Sequence, residues 1–248
     1  MKKTFVLSLL GVSFVLGTAF VLQAVEFKDF GLKAGYTSGS LRAVEDEGDY
    51  TIEKYKEGGF AAGVFVSIPL VSFLSLRPEV LFFQKGGEYD VGVPVGIPGV
   101  QVNVIETRSM NYIEIPVMLK ARIPLFRGVG TSFLIGPSLG ISLSGQVKQN
   151  TRVQAFGFTF DFRAEDDIKK QLKAVELSFA LGGDFDIEVG GSKLFIEQRF
   201  FFGLKPNPHV IFVPAQQFID AGFPVTLDIV QNLDFYNYVL FVSVGYAF

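Results

Sequence analysis

The chain closes on Phe235-Tyr236-Asn237-Tyr238-Val239-Leu240-Phe241-Val242-Ser243-Val244-Gly245-Tyr246-Ala247-Phe248. Every second residue from Tyr236 to Phe248 is apolar or aromatic, while Asn237, Ser243, Gly245 and Ala247 stand between them. A period of two over a run this long is a β-strand with two unlike faces. An unbroken apolar face that ends on an aromatic residue suits a strand whose outer side meets lipid.

Seven earlier stretches carry the same alternation, at 27–38, 59–68, 73–85, 111–122, 131–147, 174–189 and 193–204. Each reaches the ~9–11 residues that a tilted transmembrane strand needs. The clearest is 111–122, where Ile113, Ile115, Val117, Leu119 and Ala121 alternate with Tyr112, Glu114, Pro116, Met118, Lys120 and Arg122. The links alternate as well. They are short at 69–72, 123–130 and 190–192, and long at 39–58, 86–110, 148–173 and 205–234. Short turns at one end and long loops at the other are the plan of a transmembrane barrel, with both termini periplasmic.

The N-terminus agrees with that destination. Met1-Lys2-Lys3 is a positive head, residues 4–22 carry no charge, and Gln23-Ala24 ends the run on a small residue. This predicts a secretory signal peptide, 1–24, cut after Ala24, and a barrel domain, 25–248. The run is long for a leader, and an uncleaved anchor is the rival reading. After residue 24 no apolar run approaches the ~18 residues of a spanning helix, and a membrane protein without such helices must close its sheet. A secreted β-sandwich or lipocalin-like barrel also alternates. The leader, the loop-length alternation and the aromatic last strand together point to the membrane. The expected fold is all-β, an eight-stranded antiparallel up-and-down transmembrane barrel in the bacterial outer membrane.

Composition excludes several functions. The chain has no cysteine and one histidine, His209, so thiolate and histidine metal sites lack their ligands. Net charge is −3, and about −5 once Lys2 and Lys3 leave with the leader. No basic stripe remains for nucleic acid.

Five stretches read together resemble a known family. They are Tyr112-Ile113-Glu114-Ile115-Pro116-Val117-Met118-Leu119-Lys120, Ile135-Gly136-Pro137-Ser138-Leu139-Gly140, Leu181-Gly182-Gly183-Asp184-Phe185, Ile196-Glu197-Gln198-Arg199-Phe200 and the closing strand. In this order they resemble the PorT-like outer-membrane β-barrel proteins, often described as porin-family proteins. The resemblance implies an eight-stranded barrel like OmpA or OmpX in a Gram-negative envelope. It implies poorly defined roles, including envelope integrity and, in one branch, protein secretion, and it does not imply a reaction; no cofactor is expected. Tyr246 and Phe248 on an amphipathic last strand are similar to the signal read by the outer-membrane barrel assembly machinery. The apolar last loop departs from the pattern.

Three regions could carry function. The inward faces place Lys33, Arg77, Lys120, Arg122 and Arg199 with Glu79, Glu114, Glu176, Asp184, Asp186, Glu188 and Glu197. Arg77, Glu79, Lys120, Asp184, Glu197 and Arg199 fall at similar heights, counted from the short turns. An eight-stranded interior is just wide enough to be filled by side chains. A salt-bridged plug therefore weighs more than a selectivity filter or proton path, since buried charges need partners. The second region is outside the membrane. Residues 91–95 and 100–104 read as a hairpin prolonging the third and fourth strands. Residues 151–162 alternate with Phe156, Phe158, Phe160 and Phe162 on one side, and 166–173 reads as a short helix with Ile168 and Leu172 on one face. Such edges can add a partner's strand. The third region is the last loop, where Phe212, Phe218 and Phe223 form either a docking patch or a cap over the barrel mouth. Glu45, Asp46, Glu47 and Asp49 read as a solvated acidic loop, with a divalent cation shared with lipopolysaccharide as the alternative.

The expected function is a non-enzymatic structural or interaction barrel acting through its outer loops in adhesion, envelope integrity or secretion. Its partners would be membrane lipid, lipopolysaccharide, the assembly machinery and a protein at the loops, with no nucleic acid. The alternative is a narrow porin-like channel for small solutes. An outer-membrane lipid-modifying enzyme is disfavoured by the lone His209, which sits between prolines and loop residues.

Overall fold

The computed structural model describes residues 29–43, 51–55, 57–93, 98–170, 172–206, 210–212, 230–232 and 235–248. The leader, its cleavage after Ala24, His209 and the acidic residues 45–49 lie outside them. The strands are β1 (Asp29–Ala43), β2 (Thr51–Tyr55), β3 (Glu57–Val71), β4 (Leu74–Val93), β5 (Val100–Phe126) and β6 (Val129–Ala155). They continue as β7 (Phe158–Asp167), β8 (Val175–Val189), β9 (Ser192–Gly203), β10 (Val210–Phe212), β11 (Val230–Asn232) and β12 (Phe235–Ala247). None of the described residues forms a helix long and apolar enough to cross a membrane.

Eight of these strands close a ring. In the order β1, β3, β4, β5, β6, β8, β9, β12, each pairs antiparallel with the next, and β12 returns to β1. The closing register runs from Gly31 opposite Ala247 to Ala43 opposite Phe235, and the Phe248 N–H donates to the Phe30 carbonyl at 2.8 Å. Closure leaves the ring no free edge, which is what lets a sheet satisfy its backbone in lipid. All eight expected strands are present. Their expected outward residues, such as Leu32, Tyr36, Phe60, Val80, Phe133, Leu181, Ile196 and Val244, are exposed on the outside of the ring.

The short turns are two residues each, at Ser72-Phe73, Arg127-Gly128 and Gly190-Gly191. Gly190 and Gly191 have φ of 60° and 90°, the pair of positive angles a tight hairpin needs and glycine adopts freely. Asp29 and Ala247 lie at the same end as Ser72 and Phe73, where they line one cavity.

At the opposite end the sheet runs past the ring. β5 and β6 are 27 residues each, far beyond the ~9–11 that cross a bilayer. The outer part of β4 pairs with β2 at residues 88–92, and the outer part of β6 pairs with β7 at 146–155. The result is a sheet of five strands, β2-β4-β5-β6-β7, standing beyond the barrel. Val91 opposite Val104 and Val93 opposite Val102 realise the expected hairpin.

Three local expectations are corrected. The alternation of β6 changes face: Ser132, Leu134 and Ser138 point inward, whereas Thr151, Val153 and Ala155 are buried further out. The register against β5 slips between Asn111–Ser144 and Tyr112–Ser142, so a bulge adds one residue and reverses the side-chain parity. Phe156 does not share a face with Phe158, Phe160 and Phe162. It sits in the turn with Gly157, at φ 52° and 85°, because Ala155 pairs with Phe158. Where a short helix was expected at 166–173, Asp166 and Asp167 end β7, and after them the Leu172 N–H donates to the Ile168 carbonyl at 3.1 Å across one turn. Ile168 and Leu172 are buried over Gly145, so packing onto the sheet replaces propagation of a helix whose nucleus is costly.

Glycines on the inner face make room for rings. A Cβ on Gly245 would stand 2.1 Å from the Phe195 ring. Gly245→Ala should therefore destabilise the barrel by about 1–3 kcal/mol, as overpacked cores do. Urea titration of the folded band in semi-native gels checks this. An unchanged midpoint would show that Phe195 has another place to go.

Candidate functional site

The lumen of the ring is filled in layers, because each strand contributes one inward side chain per two residues at successive heights. On β4 those are Arg77, Glu79, Leu81, Phe83 and Lys85, and all are buried. Read upward from the short turns, they cross a charged layer, an apolar layer and a second charged layer.

The first charged layer joins β1, β4, β5, β8 and β9. Arg199 donates to both oxygens of Glu79, at 2.9 Å each, and its Nη2 lies 2.8 Å from Glu197 Oε1. Lys33 Nζ sits 2.8 Å from Glu79 and 2.7 Å from Glu197. Arg77 Nη1 lies 3.3 Å from Glu197 and 3.5 Å from Asp184, and Lys120 Nζ lies 2.5 Å from Asp184. The six residues expected at one height are thus brought together, with Lys33 added. Four cations face three carboxylates, and aromatic faces take up part of the excess. The Arg77 guanidinium carbon is 3.6 Å from the Phe65 ring centroid and 4.9 Å from that of Phe195.

Above it lies a septum of Ala61, Leu81, Phe83, Met118, Leu134, Ala180, Phe201, Val239 and Phe241, each at most 3% exposed. Phe83 stands 5.0 Å from Phe201 and 5.5 Å from Phe241, in tilted and edge-on contact. Lys33 on one side approaches Phe241 to 5.3 Å, and Lys85 on the other approaches Phe83 to 5.9 Å.

The second charged layer holds Glu114 and Glu176, which were expected in the lumen but do not meet the first cluster. Lys85 Nζ lies 2.9 Å from Glu114 and 3.4 Å from Glu176. The hydroxyls of Ser138 and Ser178 donate to Glu114 Oε1 at 2.6 and 3.0 Å, and Asn237 Nδ2 donates to Glu176 at 2.9 Å. Arg122, Asp186 and Glu188 sit apart, at the rim on the short-turn side. Arg122 is 2.6 Å from Asp186 and 3.3 Å from Glu188, whose side chain is 46% exposed. This corrects the expected inward position of Glu188: it lies one step before the Gly190-Gly191 turn, where the wall ends.

Below the first layer a cavity of about 120 Å³ opens at the short-turn end, lined by Arg77, Lys120, Arg122, Asp186, Lys193 and Phe195 among others. The packed charges and the septum form its ceiling.

Strand alternation did not single out Lys85 or the inward rings Phe65, Phe83, Phe195, Phe201 and Phe241. Their signal was parity: Lys85 is four steps of two from Arg77, and Phe241 shares the face of Ser243. Tyr246 and Phe248 are on the outer face, with rings 4.9 Å apart, and Phe248 lies 6.2 Å from Phe30. Phe212 belongs to β10, which pairs with β11, and Phe218 and Phe223 lie outside the described residues.

A family profile described as the outer membrane protein beta-barrel domain matches residues 26–207. Among solved structures, the chain is similar to Ail, the attachment invasion locus protein of Yersinia pestis, in complex with the heparin analogue sucrose octasulfate. That likeness has 11% identity, 90% of this chain and 100% of that chain covered, and a TM-score of 0.37. It is similar to Neisserial surface protein A at 11% identity, with 87% and 95% covered and a TM-score of 0.32. It is similar to the outer membrane protease OmpT of Escherichia coli at 10% identity, with 90% and 97% covered and a TM-score of 0.38. No curated protein sequence matches it.

Proposed function

The chain belongs to the outer membrane protein beta-barrel domain family, and from that premise we propose that it is a sealed, non-enzymatic barrel. Its ring anchors it in the lipid and lipopolysaccharide of the bacterial outer membrane, and its protruding sheet does the work. In this reading the short turns and both termini face the periplasm, and the five-stranded sheet faces outward. The PorT-like resemblance of the stretches from Tyr112 to Phe248 is consistent with it, as is a role for Tyr246 and Phe248 in recognition by the assembly machinery. Phe212, Phe218 and Phe223 are candidates for contact with a protein partner.

The observation that carries the reading is the septum. Phe83, Phe201, Phe241, Leu81, Met118 and Leu134 are all at most 2% exposed. They separate two layers in which every described cation lies within ion-pair distance of a carboxylate. An ion crossing this plug would have to leave water and pass between aromatic rings, at a cost of several kcal/mol. Among the described residues, the carboxylates of the two layers are held by buried cations.

Planar-bilayer recording tests the reading. The purified barrel should insert without steady conductance, and steps of porin size would sink it in favour of the narrow channel.

A further inference from the structure

We propose that β7 is a homotypic adhesive edge, through which two copies of this chain in facing membranes pair their β7 strands antiparallel about Phe162. The inference rests on the outward placement of the protruding sheet proposed above.

Among the described residues β7 pairs with β6 alone. The two-residue turn makes Ala155–Phe158 the closing hydrogen-bonded pair. From there the alternation of an antiparallel ladder turns the backbone groups of Phe158, Phe160 and Phe162 toward β6. Those of Thr159, Asp161, Arg163 and Glu165 then point off the sheet. The same four residues carry exposed side chains on one face. Asp161 keeps its ion pair with Arg152 at 2.9 Å and is still 45% exposed.

Charge selects the partner and the register. With Phe162 opposite its own copy, Asp161 meets Arg163 of the second copy, Arg163 meets Asp161, and Thr159 and Glu165 meet each other. A slip of two residues one way sets Arg163 against Arg163, and the other way Asp161 against Asp161. Like charges directly opposite are destabilising. A slip of one residue turns the charged face against the face of Phe160 and Phe162. Those two rings already have contacts within their own chain, and the pairing does not draw on them. It uses the outward backbone groups and the two Asp161–Arg163 pairs.

Direction decides where the second copy stands. β7 prolongs the wall of β6 away from the ring, so its direction is tied to the barrel axis. An antiparallel partner has the opposite axis. Copies in one membrane share their orientation, so the partner must come from a facing one. The ten residues of β7, at ~3.3 Å each, give the edge a length of about 33 Å.

The test uses the full-length protein in two dye-labelled populations of phosphatidylcholine vesicles, with vesicle–vesicle tethering read by energy transfer. Wild-type vesicles should tether. Arg163→Asp on both sides, or Asp161→Arg on both sides, should lower tethering by about tenfold, roughly 1.4 kcal/mol. Vesicles carrying one variant mixed with vesicles carrying the other should tether as wild type does, since only unlike vesicles then present opposite charges at both positions. Absence of wild-type tethering, tethering unaffected by either reversal, or failure of the mixture to recover would each overturn the proposal. Bilayer recordings on the same preparations keep the two readings apart. Silent bilayers without tethering reject the edge pairing alone, while steady conductance rejects the sealed barrel.

Discussion

Arg199→Met should cost the barrel about 3–5 kcal/mol of stability. The arginine is fully buried and holds Glu79 through two 2.9 Å hydrogen bonds and Glu197 at 2.8 Å. Removing it takes two hydrogen bonds from Glu79 and one close cation from Glu197, at carboxylates that water does not reach. A buried pair contributes little when intact, because desolvation offsets most of its attraction. Breaking one leaves a buried, desolvated carboxylate without its donors. The measurement is urea unfolding followed by the heat-modifiable shift of the folded band. The companion Arg199→Met/Glu79→Gln should recover part of the loss, because a neutral amide is cheaper to bury than a carboxylate that has lost both guanidinium bonds. A single variant as stable as wild type would mean that the cluster is wet, and that the plug is looser than these distances describe.

Cutting the septum should change behaviour as well as stability. Phe83→Ala with Phe201→Ala removes two rings that touch at 5.0 Å in the middle of the lumen. Each such truncation in a packed core costs about 3–5 kcal/mol. In those molecules that still fold, the two charged layers would face each other across a gap lined by Phe241, Met118 and Leu134. Water entering that gap would join the cavity at the short-turn end to the layer of Lys85, Glu114 and Glu176. Single-channel steps should then appear where the wild type is silent. Reducing only Phe65, which lies below the first charged layer, should leave the bilayer silent. Conduction by the Phe65 variant and not by the septum variant would place the seal elsewhere.

Most of the ring was legible in the chain, and the reason is the period of two. In 111–122 the outward Ile113, Val117 and Leu119 and the inward Glu114 and Lys120 stand where alternation places them. The same holds for Tyr36, Val80, Ile196 and Val244 in other strands. The charged cluster was partly legible for the same reason. Arg77, Glu79, Lys120, Asp184, Glu197 and Arg199 lie at similar distances from short turns, and register fixed by short turns brings similar heights together.

Other features needed the closed sheet. Alternation says which face Phe83, Phe201 and Phe241 share, but not that rings from β4, β9 and β12 converge at one height and divide the charges into two layers. Nor does it reveal the bulge at Ser142–Ser144, since one added residue changes the parity only when the partner strand is in place. Within the links at 86–110 and 148–173 the alternation of 91–104 and 151–162 already read as extended chain, but did not say which strands it would pair with. Pairing across β2, β4, β5, β6 and β7 turned much of them into sheet.

By itself, the sequence determined the eight strands of the ring, the lipid-facing side of each and the end at which the chain turns tightly. All of these are local properties of side-chain period and turn chemistry. Only the tertiary structure decided what the inward residues do to one another and how far the sheet reaches beyond the ring. Closure sets the heights at which distant strands meet, and that sum of registers is written in no single segment.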